Sequence, residues 1–268
     1  MGCFLDRLPV FGNNGLGLIG HTGNAFFFFD IIQGGFNIVA VARRRERLEK
    51  LAKDLAGQAD VAIVAADVTT KDACEVAVGV AMERFGRLDC LVNNAGIFRF
   101  GAVGQTEDDA LDEVLEISFK APFRFCRAAL RVMQPGASIV NIGSVWGVLA
   151  GMSGGSYCSV KAALIGLTQS IATDYGPVGI RANLVAPSVV KTDMTRDFWE
   201  TDFFQRTNQE LTPLNRDATV EDVANAVYFL ASDQGAFISG QTLALDGGWS
   251  TSKYLSAEAV TAQRVAKS

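Results

Sequence analysis

Short apolar runs alternate along this chain with segments of helical period, and that alternation leaves few folds open. Runs at 36–42, 61–65, 88–92, 138–143, 180–186 and 241–245 are rich in valine, isoleucine, leucine and alanine. Between them apolar residues recur three and four apart: Leu48, Leu51 and Leu55; the stretch 71–85; Val160, Leu164, Leu167 and Ile171; and 220–231. Strand–helix–strand repeats lay successive strands parallel, and near-continuous apolar strands belong to sheets covered on both faces. The pattern predicts an α/β fold: one doubly wound (Rossmann) parallel sheet with helices on both faces. It reads as a single domain over residues 1–250 with a polar tail at 251–268. Gly57, Gly176-Pro177 and Pro187 punctuate the elements. Thr106, followed by three acids, reads as the N-cap of a long helix to about residue 133, kinked at Pro122.

A chain of 268 residues, 49% hydrophobic and 20% charged, suits one large core. Its net charge of −5 offers no basic footprint for nucleic acid. Five scattered cysteines without a C-x-x-C pair fit reduced thiols in a cytoplasmic protein. The lone histidine, His21, speaks against a histidine-ligated metal or a Ser-His-Asp hydrolase. The Phe26-Phe27-Phe28-Phe29 run is cut off by Asp30, short of the ~20 residues of a membrane span, and reads as a buried helix face.

The chemistry gathers between Ser144 and Lys161. Ser144 ends an apolar run, a glycine-rich loop follows, and Tyr157 and Lys161 stand four apart, on one face of a helix. A neighbouring ammonium favours the phenolate, which predicts a tyrosine pKa below its usual ~10 and a phenol able to exchange a proton. A serine hydroxyl beside it can hold a carbonyl oxygen or the alkoxide formed from it. Asn93-Asn94-Ala95-Gly96 follows a strand with small residues that let a dinucleotide approach the backbone. Ala42 ends the 36–42 run where an acid would grip a ribose 2′-hydroxyl. The Arg43, Arg44 and Arg45 that follow favour a 2′-phosphate, hence NADP over NAD.

The Ser144, Tyr157 and Lys161 spacing resembles that of the short-chain dehydrogenase/reductase family. The resemblance covers roughly residues 8–250. It implies that Tyr157 protonates a substrate oxygen, that Lys161 holds the nicotinamide ribose, and that Ser144 positions the carbonyl. Ser118 stands where the family carries an asparagine supporting a water relay. Asn93, Ala95 and Gly96 would line the cofactor, and Asp67 and Val68 would sit at its adenine. Pro187, Val190 and Thr192 resemble the family's nicotinamide-amide motif, with Ser188 in place of its glycine. Gly12, Gly15 and Gly17 are similar to the family's glycine loop, opening a helix at the pyrophosphate, though Val10 and Phe11 replace threonine and glycine. A second register uses Gly17, Gly20 and Gly23. The resemblance also implies a homotetramer.

These residues predict an NADP(H)-dependent enzyme interconverting a small-molecule ketone and a secondary alcohol, with no nucleic acid or membrane partner. The substrate class stays open among acyl thioesters, sugar acids or polyols, and xenobiotic ketones. A non-catalytic protein of the same fold, with an altered glycine loop, is the alternative. A sugar-nucleotide epimerase would need a larger C-terminal domain than this chain offers. Met194, Phe198, Trp199, Phe203 and Phe204 read as an apolar substrate lid or an oligomer contact, and Trp146 as a wall of the pocket.

Overall fold

The computed structural model describes residues 15–20, 36–192, 195, 199–201, 208 and 211–251. Its strands are β1 (Gly15–Gly20), β2 (Phe36–Ala42), β3 (Val61–Ala65), β4 (Cys90–Asn93), β5 (Ser138–Ile142), β6 (Arg181–Pro187) and β7 (Thr242–Leu245). They form one sheet in the order β3-β2-β1-β4-β5-β6-β7, parallel throughout. Strand order reverses between β1 and β4, the crevice where such sheets bind ligands at their carboxyl ends.

Alternation along the central strands feeds two cores. From β2, Val39 and Val41 enter one core; Ile38 and Ala40 enter the other. On the first face lie α2 (Ala73–Phe85), α4 (Ala121–Ala129) and α6 (Gly155–Tyr175). On the second lie α1 (Arg45–Asp54) and α7 (Val220–Ala231). Two further helices, α3 (Asp108–Leu115) and the short α5 (Val145–Val148), stand beside the strand ends. The expected stripe on α6 is real: Val160, Leu164 and Ile171 are buried, and Leu167 packs at the edge of the core.

Three expectations are corrected. The helix after Thr106 starts one residue later, with Glu107 as N-cap. The Thr106 hydroxyl instead donates to the Ala102 carbonyl at 3.0 Å. The Pro122 kink takes the form of a π turn, Glu116–Lys120, between α3 and α4, in which the Ala121 N–H reaches back five residues to the Glu116 carbonyl. Proline has no N–H for the carbonyl four residues earlier, that of Ser118, so the irregularity falls one turn upstream. Gly15 and Gly17 lie inside β1, paired with Phe36 and Ile38, not in a loop opening a helix. Glycine is permissive enough for either state, and the β2 neighbour supplies the backbone partners that decide it. Gly12 and Gly23, the 26–29 run and the apolar lid residues at 194, 198, 203 and 204 lie outside the described residues.

Candidate active site

Four elements converge at the carboxyl ends of β4 and β5. Ser144 leaves β5 in extended backbone and caps α5, its hydroxyl accepting the Trp146 N–H at 3.2 Å. Tyr157 and Lys161 lie in the first two turns of α6. Ser118 sits fully buried in the π turn. The sequence-predicted quartet is therefore brought together. The Ser144 hydroxyl lies close enough to the Tyr157 phenol to pull its pKa downward. Lys161 Nζ lies 5.7 Å from the Tyr157 ring centre and donates to the Ile142 carbonyl at 2.8 Å. The Ser118 hydroxyl accepts the Ile97 N–H at 3.3 Å. A β-carbon on Gly96 would stand 3.4 Å from Lys161 Nζ and 3.6 Å from Ser118 Oγ, so this glycine keeps an opening between the two.

The electrostatics differ from expectation. Burial pushes the Tyr157 phenol up to about 12, opposed by the Ser144 hydroxyl. Burial pulls the Lys161 ammonium down to about 8. The ammonium donates to the Ile142 carbonyl, and desolvation outweighs any lowering it exerts on the phenol. The tyrosine residue keeps a partly exposed edge, where water moderates this cost.

A pH test follows for Lys161. Its folded value lies below the ordinary 10.5, so the stability it contributes is complete above pH 10.5 and lost as pH falls through about 8. Lys161→Met removes this titration. Its stability relative to the parent, read from urea midpoints, should be most favourable at pH 7 and decline between pH 8 and 10.5. A difference constant across that window would show that Lys161 does not carry the burial penalty.

The cofactor candidates divide. Asp67 accepts the Thr69 N–H at 2.9 Å and its hydroxyl at 2.8 Å; that backbone bond, offset by partial burial, holds its carboxyl below the usual range, with Arg43 adding to the effect. Arg43 is exposed beyond β2, close enough to Asp67 for that influence. Val68, Asn93, Asn94 and Ala95 line one cleft together with Pro122 and Phe125. The Asn93 amide also donates to Asn141 at 2.8 Å and to Cys126 Sγ at 3.2 Å, and Asn141 donates in turn to Thr168 at 2.9 Å. The Asn93 side chain thus joins strands and helix at the floor of that cleft. Pro187 ends β6 buried, and the Ser188 N–H donates to the Leu245 carbonyl. Val190 bridges to Ala218, while Thr195, a residue the sequence did not single out, bonds Val190, Thr192 and Trp199 together. Phe98 was missed too. Its ring stands edge-on to Tyr157 at 4.9 Å and to Trp146 at 5.6 Å, so the Phe-Arg-Phe that follows the Asn-Asn-Ala-Gly motif was the available signal.

These residues fit a nicotinamide dinucleotide. Gly96 beside Lys161, the small Ala95 in its cleft, and Arg43 and Asp67 just beyond β2 and β3 lie in turn at the carboxyl ends of the strands, where such a ligand binds. No cluster of potential metal ligands occurs among the described residues, and no helix among them is long and apolar enough to cross a membrane.

Known proteins resemble this chain in sequence and fold. Residues 30–250 match the family model described as enoyl-(acyl carrier protein) reductase. Trans-4-hydroxycyclohexanecarboxylate dehydrogenase of Sinomonas cyclohexanicum is 41% identical over 191 residues, 70% of this chain and 71% of that protein. (+)-Borneol dehydrogenase 2 of Salvia officinalis is 34% identical over 77% of each chain. A gluconate 5-dehydrogenase of Burkholderia cenocepacia, solved with NADP and tartrate, superposes with a TM-score of 0.82 at 29% identity, covering 89% of this chain and 96% of that one. The sheet order, the converging site and these likenesses together establish that the chain belongs to the short-chain dehydrogenase/reductase family and is an NAD(P)-dependent oxidoreductase of alcohol and ketone groups.

Proposed function

We propose that the chain interconverts a ketone and a secondary alcohol with NADP(H), using Ser144, Tyr157 and Lys161, with Ser118 behind them. The observation that carries this reading is the convergence of Ser144 at the N-cap of α5 with Tyr157 and Lys161 in the first two turns of α6, the Lys161 ammonium lying beside the tyrosine ring and the Gly96 opening next to that ammonium. A reduced nicotinamide bound at that opening supplies the hydride for the carbonyl carbon.

The protein's own groups handle the oxygen. Ser144 donates to the carbonyl oxygen and fixes its place. Tyr157 delivers the phenolic proton as charge develops there, and in oxidation takes it back. Lys161 would hold the nicotinamide ribose, and its ammonium, charged below about pH 8, would act as the electrostatic stabiliser of a phenolate that burial disfavours. Ser118 holds the Ile97 backbone, and with it the Gly96 turn, against Lys161. Arg43 and Arg44 face solvent beyond β2, where a 2′-phosphate would meet them. A homotetramer in the cytoplasm belongs to the same proposal, on the family likeness alone.

Fluorescence titration with NADPH and NADH tests the cofactor. The parent should bind NADPH more tightly. Replacing Arg43 and Arg44 together by alanine should weaken NADPH by roughly 10- to 100-fold, the scale of one or two charged hydrogen bonds, and NADH by less than about threefold. Equal losses would remove the phosphate role. Failure of the parent to bind either nucleotide would sink the reading as a whole.

A further inference from the structure

We infer that this site is built for a compact, apolar, ring-bearing ketone or alcohol, with Phe98 as its specificity-determining wall. The inference rests on the ketone–alcohol reading above and names the substrate class.

Any carbonyl oxygen held between Ser144 and Tyr157 leaves the rest of its molecule against the rings around them. Three rings frame that space. Phe98 meets Tyr157 at 4.9 Å and 74°, Phe98 meets Trp146 at 5.6 Å and 63°, and Trp146 meets Tyr157 at 6.5 Å and 77°. Phe100 extends the wall, its ring 4.5 Å from Phe98 at 88°. Steeply crossed aromatic faces and edges suit a small ring, which can put C–H groups against each of them.

The wall is braced. Gly101 and Gly154 form a parallel bridge, with the Gly101 N–H donating to Ser153 at 2.8 Å and the Gly155 N–H to Gly101 at 3.0 Å. The indole of Trp146 lies flat on the loop: a β-carbon on Gly151 would fall 2.2 Å from it. The Phe98 loop is thus tied to the loop that leads from Trp146 into α6, with Phe100 at the exposed rim of the frame.

Polar recognition is withdrawn from this wall. Arg99 lies between the two phenylalanines, yet its guanidinium turns away and grips Glu113 with two bonds of 2.9 Å. The hydroxyls set directly at the rings are those of Ser144 and Tyr157, with Ser153 exposed at the outer loop. A polyhydroxylated ketone would lose roughly tenfold for each hydroxyl left without a partner. An acyl thioester on a phosphorylated carrier would find Arg99 already paired.

The test uses the full chain with NADPH and four carbonyl compounds: 4-methylcyclohexanone, acetophenone, 5-ketogluconate and acetoacetyl-coenzyme A. The ring ketones should exceed the other two in kcat/KM by about 100-fold. Phe98→Ala should lower kcat/KM for 4-methylcyclohexanone about tenfold or more, chiefly through KM, with the NADPH Kd unchanged. Phe98→Leu, which keeps an apolar wall, should retain most of the activity. Saturation-transfer NMR with 4-methylcyclohexanol and gluconate on the parent with NADPH, a pairing of two reduced partners that cannot react, reads the site without turnover, and only the cyclic alcohol should give a signal.

Preference for 5-ketogluconate or the thioester would overturn the substrate class and leave the ketone–alcohol reading standing. So would a Phe98→Ala variant that keeps the parental ranking and KM. Saturable binding of the cyclic alcohol without turnover of any ketone would uphold the apolar site and defeat the reaction. Neither binding nor turnover would defeat both.

Discussion

Tyr157→Phe should lower kcat about a thousandfold, within the range that a positioned acid contributes, while the NADPH Kd stays within about twofold of the parent. The substitution removes one oxygen. It leaves the ring, and with it the edge-on contacts to Phe98 and Trp146. Lys161 keeps its bond to Ile142, so the cofactor side of the cleft is undisturbed. What disappears is the proton donor and the neighbour of the Ser144 hydroxyl. Steady-state kinetics with a reducible ketone, alongside nucleotide titration, reads the two effects separately. A kcat within tenfold of the parent would dismiss Tyr157 as the acid. A collapse of nucleotide binding would assign the residue to the cofactor instead.

Gly147→Ala should damage fold and site together. Gly147 lies in α5, one helical turn from Ser144, where α5 crosses α6. A β-carbon there would fall 2.7 Å from the Lys161 carbonyl carbon, 2.8 Å from its oxygen and 2.9 Å from its Cβ. Two of these atoms are backbone in the second turn of a 21-residue helix, so no side chain can swing aside. Relief requires α5 to lift from α6. Overpacking of this kind costs about 1–3 kcal/mol. In a domain of this size that lowers Tm by roughly 5–10 °C. The displaced pair carries Ser144 on one helix and Lys161 on the other, and a shift near 1 Å at a reacting centre costs about a hundredfold in rate. Calorimetry and kcat/KM should therefore fall in the same variant. An unchanged Tm would show that the two helices are not in hard contact.

How much the sequence disclosed depended on whether a residue's neighbours are local. The runs at 61–65 and 220–231 became β3 and α7 at the predicted bounds, because apolar periodicity and their caps lie within the segment itself. Tyr157 and Lys161 were legible for the same reason: four residues on a helix fix their common face. The Asn93 side chain's tie to Asn141 was not legible, since that partner is a strand away and 48 residues later. Gly15 and Gly17 carry no side-chain signal that separates loop from strand, and the pairing with β2 decided the matter. The Pro122 effect was foreseen in kind but not in place, because a missing N–H is felt four residues upstream. The tyrosine pKa was predicted in the wrong direction, since spacing tells which groups are near and says nothing of how little water reaches them.

The inward-facing Asn93–Asn141–Thr168 chain bears on the catalytic helix in a further way. Thr168 follows Lys161 by seven residues and Tyr157 by eleven. At ~100° per residue these three lie within about 40° of one another around α6. The Asn141 amide, anchored in β5, reaches Thr168 at 2.9 Å and so sets the azimuth of the helix as well as its distance from the sheet. Hydrophobic packing alone tolerates a small roll, because one aliphatic contact replaces another at little cost. A directional bond does not. The threonine two turns behind the lysine thus acts as a keyway, and the aim of phenol and ammonium is decided far below the cleft they serve.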